Sequence, residues 1–275
     1  MLFGAATVAI RLGLRRAPDP VLGSLVTGVA ALAVALAAAL AFARDVEGVW
    51  AFALAGILAP GMSQVLFVAA VGLAGASRTS VVVGTAPLVA GLIAIVFLDE
   101  PVRAGLVAGA LLVVIGGVAL IGERVRPADF RAVGALLAFG ATVLFATRDN
   151  VVRWLAGETE AAPLAAAAAA LLAGTVCTAA FQFVRGVPSP AAARRSLRAL
   201  APAGVLFGLS YLSLFAAYDR GRVTVVSPLV ATESLWGVLI SVLLLRSSEL
   251  VGRRLVAGAF LVVAGGVLIG LERGS

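Results

Sequence analysis

Apolar residues run along this chain in long blocks, separated by short clusters of arginine, acidic residues, proline and glycine. A helix needs about 20 apolar residues to cross a hydrocarbon layer about 30 Å thick. Ten blocks are candidates. The first five are Met1–Leu14, Val21–Ala43, Val49–Leu73, Thr79–Leu98 and Val102–Gly122. The second five are Phe130–Leu155, Pro163–Val184, Leu200–Tyr218, Val223–Leu245 and Leu255–Leu271. Most breaks are short, which predicts antiparallel neighbours. About 14 residues of helix reach only about 21 Å, so the first block reads as a truncated helix, either stubby or continued upstream of Met1. The longest polar break, Arg185–Arg198, carries Pro188 and Pro190 among several arginines. It is expected to be a surface loop with room for an interfacial helix. Pro60, Pro87 and Pro228 fall inside blocks and predict kinks, which are hinge candidates.

Composition names the solvent. Hydrophobic residues make up 62% of the chain and charged residues 13%, with a mean hydropathy of +1.11. Soluble domains carry roughly a quarter charged residues, so a water-facing surface of ordinary size could not be covered. The chain reads as an all-α integral membrane protein in a lipid bilayer. Its net charge of +7 comes from arginine alone, since no lysine occurs. No basic stretch is interleaved with aromatics on a soluble segment, which argues against nucleic acid. There is no histidine and one cysteine, Cys177. Histidine-based catalysis, ordinary zinc chemistry and an intrachain disulfide are therefore excluded. No nucleotide-binding loop and no cleavable signal are recognisable, and no cofactor or metal is expected.

The halves repeat. Residues Glu100–Arg124 and Glu249–Arg273 match at about 15 of 25 positions, including Gly116-Gly117-Val118 with Gly265-Gly266-Val267. One block earlier Ser80, Thr85 and Leu88 correspond to Ser227, Thr232 and Leu235. At the starts of the halves, Ala9, Arg11 and Arg16 correspond to Ala146, Arg148 and Arg153. The boundaries are 1–124 and 125–275. Five helices per copy is an odd number, so the second copy enters the membrane from the opposite side. Such inverted repeats characterise many secondary transporters, which bind solute near the midplane between the copies. Arginines weigh about two to one toward loops after odd-numbered helices, which by the positive-inside rule places the C-terminus outside.

Further residues carry a resemblance. Ala86-Pro87-Leu88, then Leu98-Asp99-Glu100, then Gly109 and Gly116-Gly117 recur as Ser227-Pro228-Leu229, Ser248-Glu249, Gly258 and Gly265-Gly266. With Ala9-Ile10-Arg11-Leu12-Gly13-Leu14 at the start, the halves resemble the two EamA modules of the drug/metabolite transporter superfamily. The sequence departs from the family at Asp99-Glu100 and Ser248-Glu249, where a Gly-Glu pair is usual, and in its shorter opening helix. The resemblance implies a basket of ten helices around a central cavity open to one side. It also implies a permease of the plasma membrane for amino acids, related metabolites or drugs, with both termini in the cytoplasm, against the arginine balance.

Ionisable groups within apolar spans are functional candidates by default. Glu233 lies about ten residues into the ninth block, where it is a candidate to bind a substrate amine or to exchange a proton. Helical spacing places Leu229, Glu233 and Trp236 on one face. Arg148-Asp149-Asn150 and Arg153 mark the sixth block. Arg148 and Asp149 are neighbours about 100° apart, so Asp149 is expected to pair with Arg153 one turn on, and is a second candidate for proton or ion coupling. Ser63, Gln64, Thr85, Ser210, Tyr211 and Ser213 are candidate cavity groups, with Tyr211 and Trp236 placed to stack on a cation. The substrate-binding set is thus Glu233, Trp236, Tyr211, Thr85 and Gln64. The Gly-Gly pairs, with Gly105 and Gly109, predict close helix packing and offer a homodimer face. Two other readings stand beside a transporter: a non-transporting partner or sensor subunit, and an intramembrane enzyme, which would need a nucleophile and base that are not evident.

Overall fold

The structure is a computed structural model that describes residues 1–98, 104–121, 131–220, 226, 229–245 and 251–273. Among them it is almost entirely helical. The first half holds α1 (Leu2–Arg16), α2 (Pro20–Phe42), α3 (Val49–Gly56), a π-turn (Ile57–Met62), α4 (Ser63–Ala74), α5 (Ala76–Val83), α6 (Ala86–Leu98) and α7 (Ala104–Ile121). The second half holds α8 (Val133–Glu158), α9 (Pro163–Arg185), α10 (Pro190–Arg220), α11 (Glu233–Leu245) and α12 (Arg253–Arg273).

Six helical stretches among these residues are long and apolar enough to cross a bilayer: Pro20–Phe42, Val49–Ala74, Val133–Glu158, Pro163–Arg185, Pro190–Arg220 and Arg253–Leu271. Val107–Gly117 and Leu229–Leu245 are shorter apolar helices. Leu40, Trp50, Leu136, Phe183, Val184 and Phe260 all project outward. Hydrocarbon is the medium that accepts such a belt.

Local chemistry sets the boundaries. Asp19 caps α2, accepting from the N–H groups of Val21 (3.0 Å) and Leu22 (3.1 Å), while Pro20 fills the first turn. Arg185 at the end of α9 donates to the same carboxylate at 2.9 Å. Burial acts to raise the Asp19 carboxyl, but the Arg185 bond and the two N–H groups outweigh it and hold it below the usual carboxylate range. The expected loop Arg185–Arg198 is mostly helix. Ser189 Oγ accepts from Ala192 N at 3.2 Å and Pro190 occupies the first helical turn, so the alanine- and arginine-rich stretch runs on into α10. Pro190, placed by the sequence in a polar loop with room for a helix, starts that helix.

The prolines act where they can be seen. At Pro60 the third span is unwound: Ala59 has φ −145° and ψ 114° within the π-turn. This break is buried against α9, where a Cβ on Gly174 would lie 2.5 Å from Pro60 Cγ. The fourth block is not one helix. It breaks at Gly84-Thr85, with Pro87 in the first turn of α6 and Thr85 Oγ1 donating to Val82 O at 2.6 Å. A matching break occurs at Thr232, whose Oγ1 donates to Leu229 O, also at 2.6 Å. Pro228, Ser227, Asp99, Glu100, Ser248 and Glu249 lie outside the described residues.

Helices α7 and α12 cross through their glycines. A Cβ on Gly109 would lie 2.6 Å from Gly265 O, and one on Gly116 would lie 2.7 Å from Gly258 O. The small-residue face expected to offer a dimer contact is therefore occupied within the chain at these four positions. Close approach of backbones, which larger residues forbid, is what it provides. Helix α2 packs on α9 and α10, α1 on α10 and α11, and α4 on α8.

Candidate functional site

Two helices carry most of the chemistry into the middle of the bundle. On α8 the residues Phe145, Arg148 and Asp149 share one helical face, and on α10 Phe207, Tyr211 and Leu214 do the same. These six side chains meet Phe3, Ala6 and Thr7 of α1, Phe67 of α4, Val83 and Ala86 beside the first break, and Val230, Ala231 and Glu233 at the second. Together they line a cavity of about 40 Å³. That is room for one or two waters.

The ionisable groups there are deeply buried. Arg148 Nε donates to Asp149 Oδ1 at 2.7 Å, and Arg148 Nη1 donates to the Tyr211 hydroxyl in a short hydrogen bond. The guanidinium also lies over the Tyr211 ring, 4.8 Å from its centroid, and over Phe145 at 5.5 Å. The Tyr218 hydroxyl is buried beside Asp149 and interacts with its carboxylate. Glu233, 7% exposed, opens α11; its carboxyl makes no hydrogen bond with a described residue but interacts electrostatically with the α-ammonium group of Met1 and with the Arg148–Asp149 pair. Guanidinium, paired carboxylate, second carboxylate and phenol thus face a nearly dry space, where each charge acts strongly. Such a set has complements for both a cationic and an anionic group of one small solute.

The expected Asp149–Arg153 pair does not form. Arg153 donates to Tyr218 O at 3.1 Å, while Arg148 folds back along α8 to its neighbour. A long arginine side chain overcomes a 100° offset when the alternative is an unpaired buried charge. Leu229, Glu233 and Trp236 do not share a face either. The break at Thr232 separates Leu229 (65% exposed) from α11, and within α11 Trp236 (38% exposed) lies about 60° round the helix from the inward-facing Glu233. Of the residues singled out in the sequence, Glu233, Asp149 and Tyr211 meet in the cavity. Trp236, Thr85 and Gln64 do not line it. Thr85 caps its helix break, and Gln64 Nε2 donates to Thr27 Oγ1 at 3.2 Å in a buried polar cluster with Ser24. Ser210 and Ser213 bond back to their own helix, and Ser63 Oγ is buried without a hydrogen-bond partner among the described residues.

Tyr211 is not free to stack on a solute, because Arg148 already covers one face and Phe215 stacks at 5.7 Å. Sequence reading missed the aromatic lining of Phe3, Phe67, Phe145 and Phe207, and it missed Tyr218. The signal was present on α10, where Phe207, Tyr211, Leu214 and Tyr218 fall at helical spacing.

The model of the EamA-like transporter family matches the chain twice, over residues 1–122 and 132–271. No curated protein sequence matches it. Among solved structures, 27 chains match. One, described only as "Crystal structure of protein", superposes with a TM-score of 0.65 over 98% of this chain and 96% of its own, at 22% identity. At that identity the likeness is one of fold.

Proposed function

The chain belongs to the EamA-like transporter family, and on that premise we propose that it is a secondary transporter of small metabolites, such as amino acids or related compounds. It is a multi-pass membrane protein, and the plasma membrane is its proposed location. The observation that carries the reading is Glu233, a buried carboxylate with no hydrogen-bonding partner among the described residues, facing a cavity lined by residues of both halves, with the Met1 α-ammonium and Arg148 as the positive charges that act on it. Burying such a group is costly unless a ligand or proton uses it. Glu233 and Asp149 are the proposed solute-binding and coupling groups. Arg148, itself bonded to the Tyr211 hydroxyl, holds Asp149 in place and offers the positive charge.

The proposed motion is alternating access between two inverted five-helix repeats, residues 1–124 and 125–275. The α7–α12 crossing supports this. Gly109 corresponds to Gly258 and Gly116 to Gly265, so the contacts Gly109–Gly265 and Gly116–Gly258 exchange when the halves are swapped, as a two-fold relation requires. The breaks at Thr85 and Thr232 support it too, since paired discontinuous helices are where such proteins place their sites and their moving parts. A cavity of about 40 Å³ is too small for an amino acid, which fits a closed stage of that cycle.

Counterflow into proteoliposomes preloaded with a mixed metabolite panel tests the reading. Wild type is expected to exchange at least one solute class, and Glu233→Gln to lose most of that flux. No exchange of any solute under any gradient overturns the transporter. Normal exchange by Glu233→Gln removes Glu233 from the site.

A further inference from the structure

At one end of the bundle α1 and α9 finish and α10 begins, and arginines collect there. Arg16 from the last turn of α1 joins Arg194, Arg195 and Arg198 from the first turns of α10. They line a groove of about 420 Å³ whose other members are Ala191 and Ala199. All four arginines are exposed, and none has a carboxylate partner among the described residues. Asp19, on the same end, is already engaged by Arg185 at 2.9 Å. A neighbouring groove of about 410 Å³ shares Arg195 and continues to Arg185 and Ser196.

Four like charges converging without a counter-charge among the described residues repel one another, and an anion relieves the repulsion. The far end of the bundle differs: there Asp45, Glu47, Glu158, Glu160 and Asp219 accompany Arg44 and Arg220. The cluster is thus a local feature and not the general basic fringe of a membrane protein. Its position selects the anion. The groove lies at the start of α10, a helix long and apolar enough to cross a bilayer, where headgroups meet such spans, and exposed leucines adjoin it: Leu12 one turn before Arg16, and Leu197 between Arg194 and Arg198. We propose that this groove binds the phosphate headgroup of an anionic phospholipid, with Arg16 and the α10 arginines on the phosphodiester and the acyl chains beside Leu12 and Leu197. Guanidinium forks match phosphate oxygens in pairs, and basic recesses between membrane helices suit anionic lipids.

Native mass spectrometry of the full chain, released from nanodiscs of mixed phosphatidylcholine and phosphatidylglycerol, reads the site directly. Wild type is expected to retain phosphatidylglycerol selectively. The R194Q/R195Q/R198Q variant should retain roughly tenfold less or lower still, and R44Q/R220Q should match wild type. The single variant R16Q, which leaves α10 untouched, should lose several-fold. Equal retention by wild type, the triple variant and R16Q overturns the proposal, as does equal loss in R44Q/R220Q. In a parallel arm without anionic lipid, inorganic phosphate and glycerophosphoglycerol are added to the protein in neutral detergent. If either raises the unfolding midpoint as far as phosphatidylglycerol does, the site belongs to a soluble phosphate and the lipid assignment falls.

Discussion

Arg11 and Arg148 hold corresponding places in the two halves, are buried alike at 5% and 4% exposed, and do different work. Arg11 Nη1 donates to Gly72 O at 2.6 Å, satisfying a carbonyl in the last turn of α4. Carbonyls there have no partner within the helix, and the helix dipole favours a cation beside them. Arg148 instead holds Asp149 and the Tyr211 hydroxyl at the cavity. The residue after each arginine marks the divergence: Leu12 is exposed at 38%, while Asp149 is buried at 7%. One position inherited by both repeats has become a helix cap in the first half and part of a charged cluster in the second. Pseudo-symmetry of the backbone does not extend to the chemistry, which α8, α10 and the break before α11 supply almost alone.

The sharpest way to break this contrast is Arg148→Ala. It strands Asp149 as an unpaired buried charge, so it should destabilise by about 3–5 kcal/mol, read as a lowered unfolding midpoint in detergent. The double variant Arg148→Met/Asp149→Leu should regain most of that stability and still move no solute. If the double variant transports, the pair is only a packing device.

Arg11→Ala comes next. It leaves the end of α4 uncapped and should cost about 1–3 kcal/mol, with solute affinity unchanged per folded molecule. A change in affinity as large as that of an Arg148 variant would place Arg11 in the site as well.

The smallest expected effect lies at the entrance to α2. Asp19→Ala removes an N-cap worth about 1 kcal/mol and should leave flux intact. Because the folded carboxyl titrates below its ordinary value, its stabilisation is present above the unfolded pKa of about 4. It is lost as pH falls through the folded value. Acid unfolding of Asp19→Asn should accordingly show a shallower pH dependence than wild type.

Much of the architecture was legible in the sequence because bilayer-spanning blocks are long and the repeats share a glycine pair. Glu233, Asp149 and Tyr211 were also legible, as polar groups where hydrocarbon penalises them. What the sequence concealed depended on backbone breaks and on competition among partners. A continuous ninth helix would have aligned Leu229 with Glu233, and the break at Thr232 separates them, while Trp236, about 60° from Glu233 on the same helix, is far enough round to face outward. Spacing alone favoured Asp149 with Arg153, but tertiary contact gave Arg153 the Tyr218 carbonyl and left Asp149 to Arg148. Gln64 and Thr85 were correctly seen as polar groups in apolar spans, yet Thr85 bonds its own backbone, and Gln64 donates to Thr27 of the neighbouring helix while its Oε1 has no hydrogen-bond partner among the described residues.

Counterflow with Arg11→Ala and Arg148→Gln side by side, each normalised to folded protein, tests most directly whether the chemistry resides in one cavity. The account predicts near-wild-type exchange for Arg11→Ala and loss of most exchange for Arg148→Gln. Equal exchange by both variants, whether retained or lost, would contradict it.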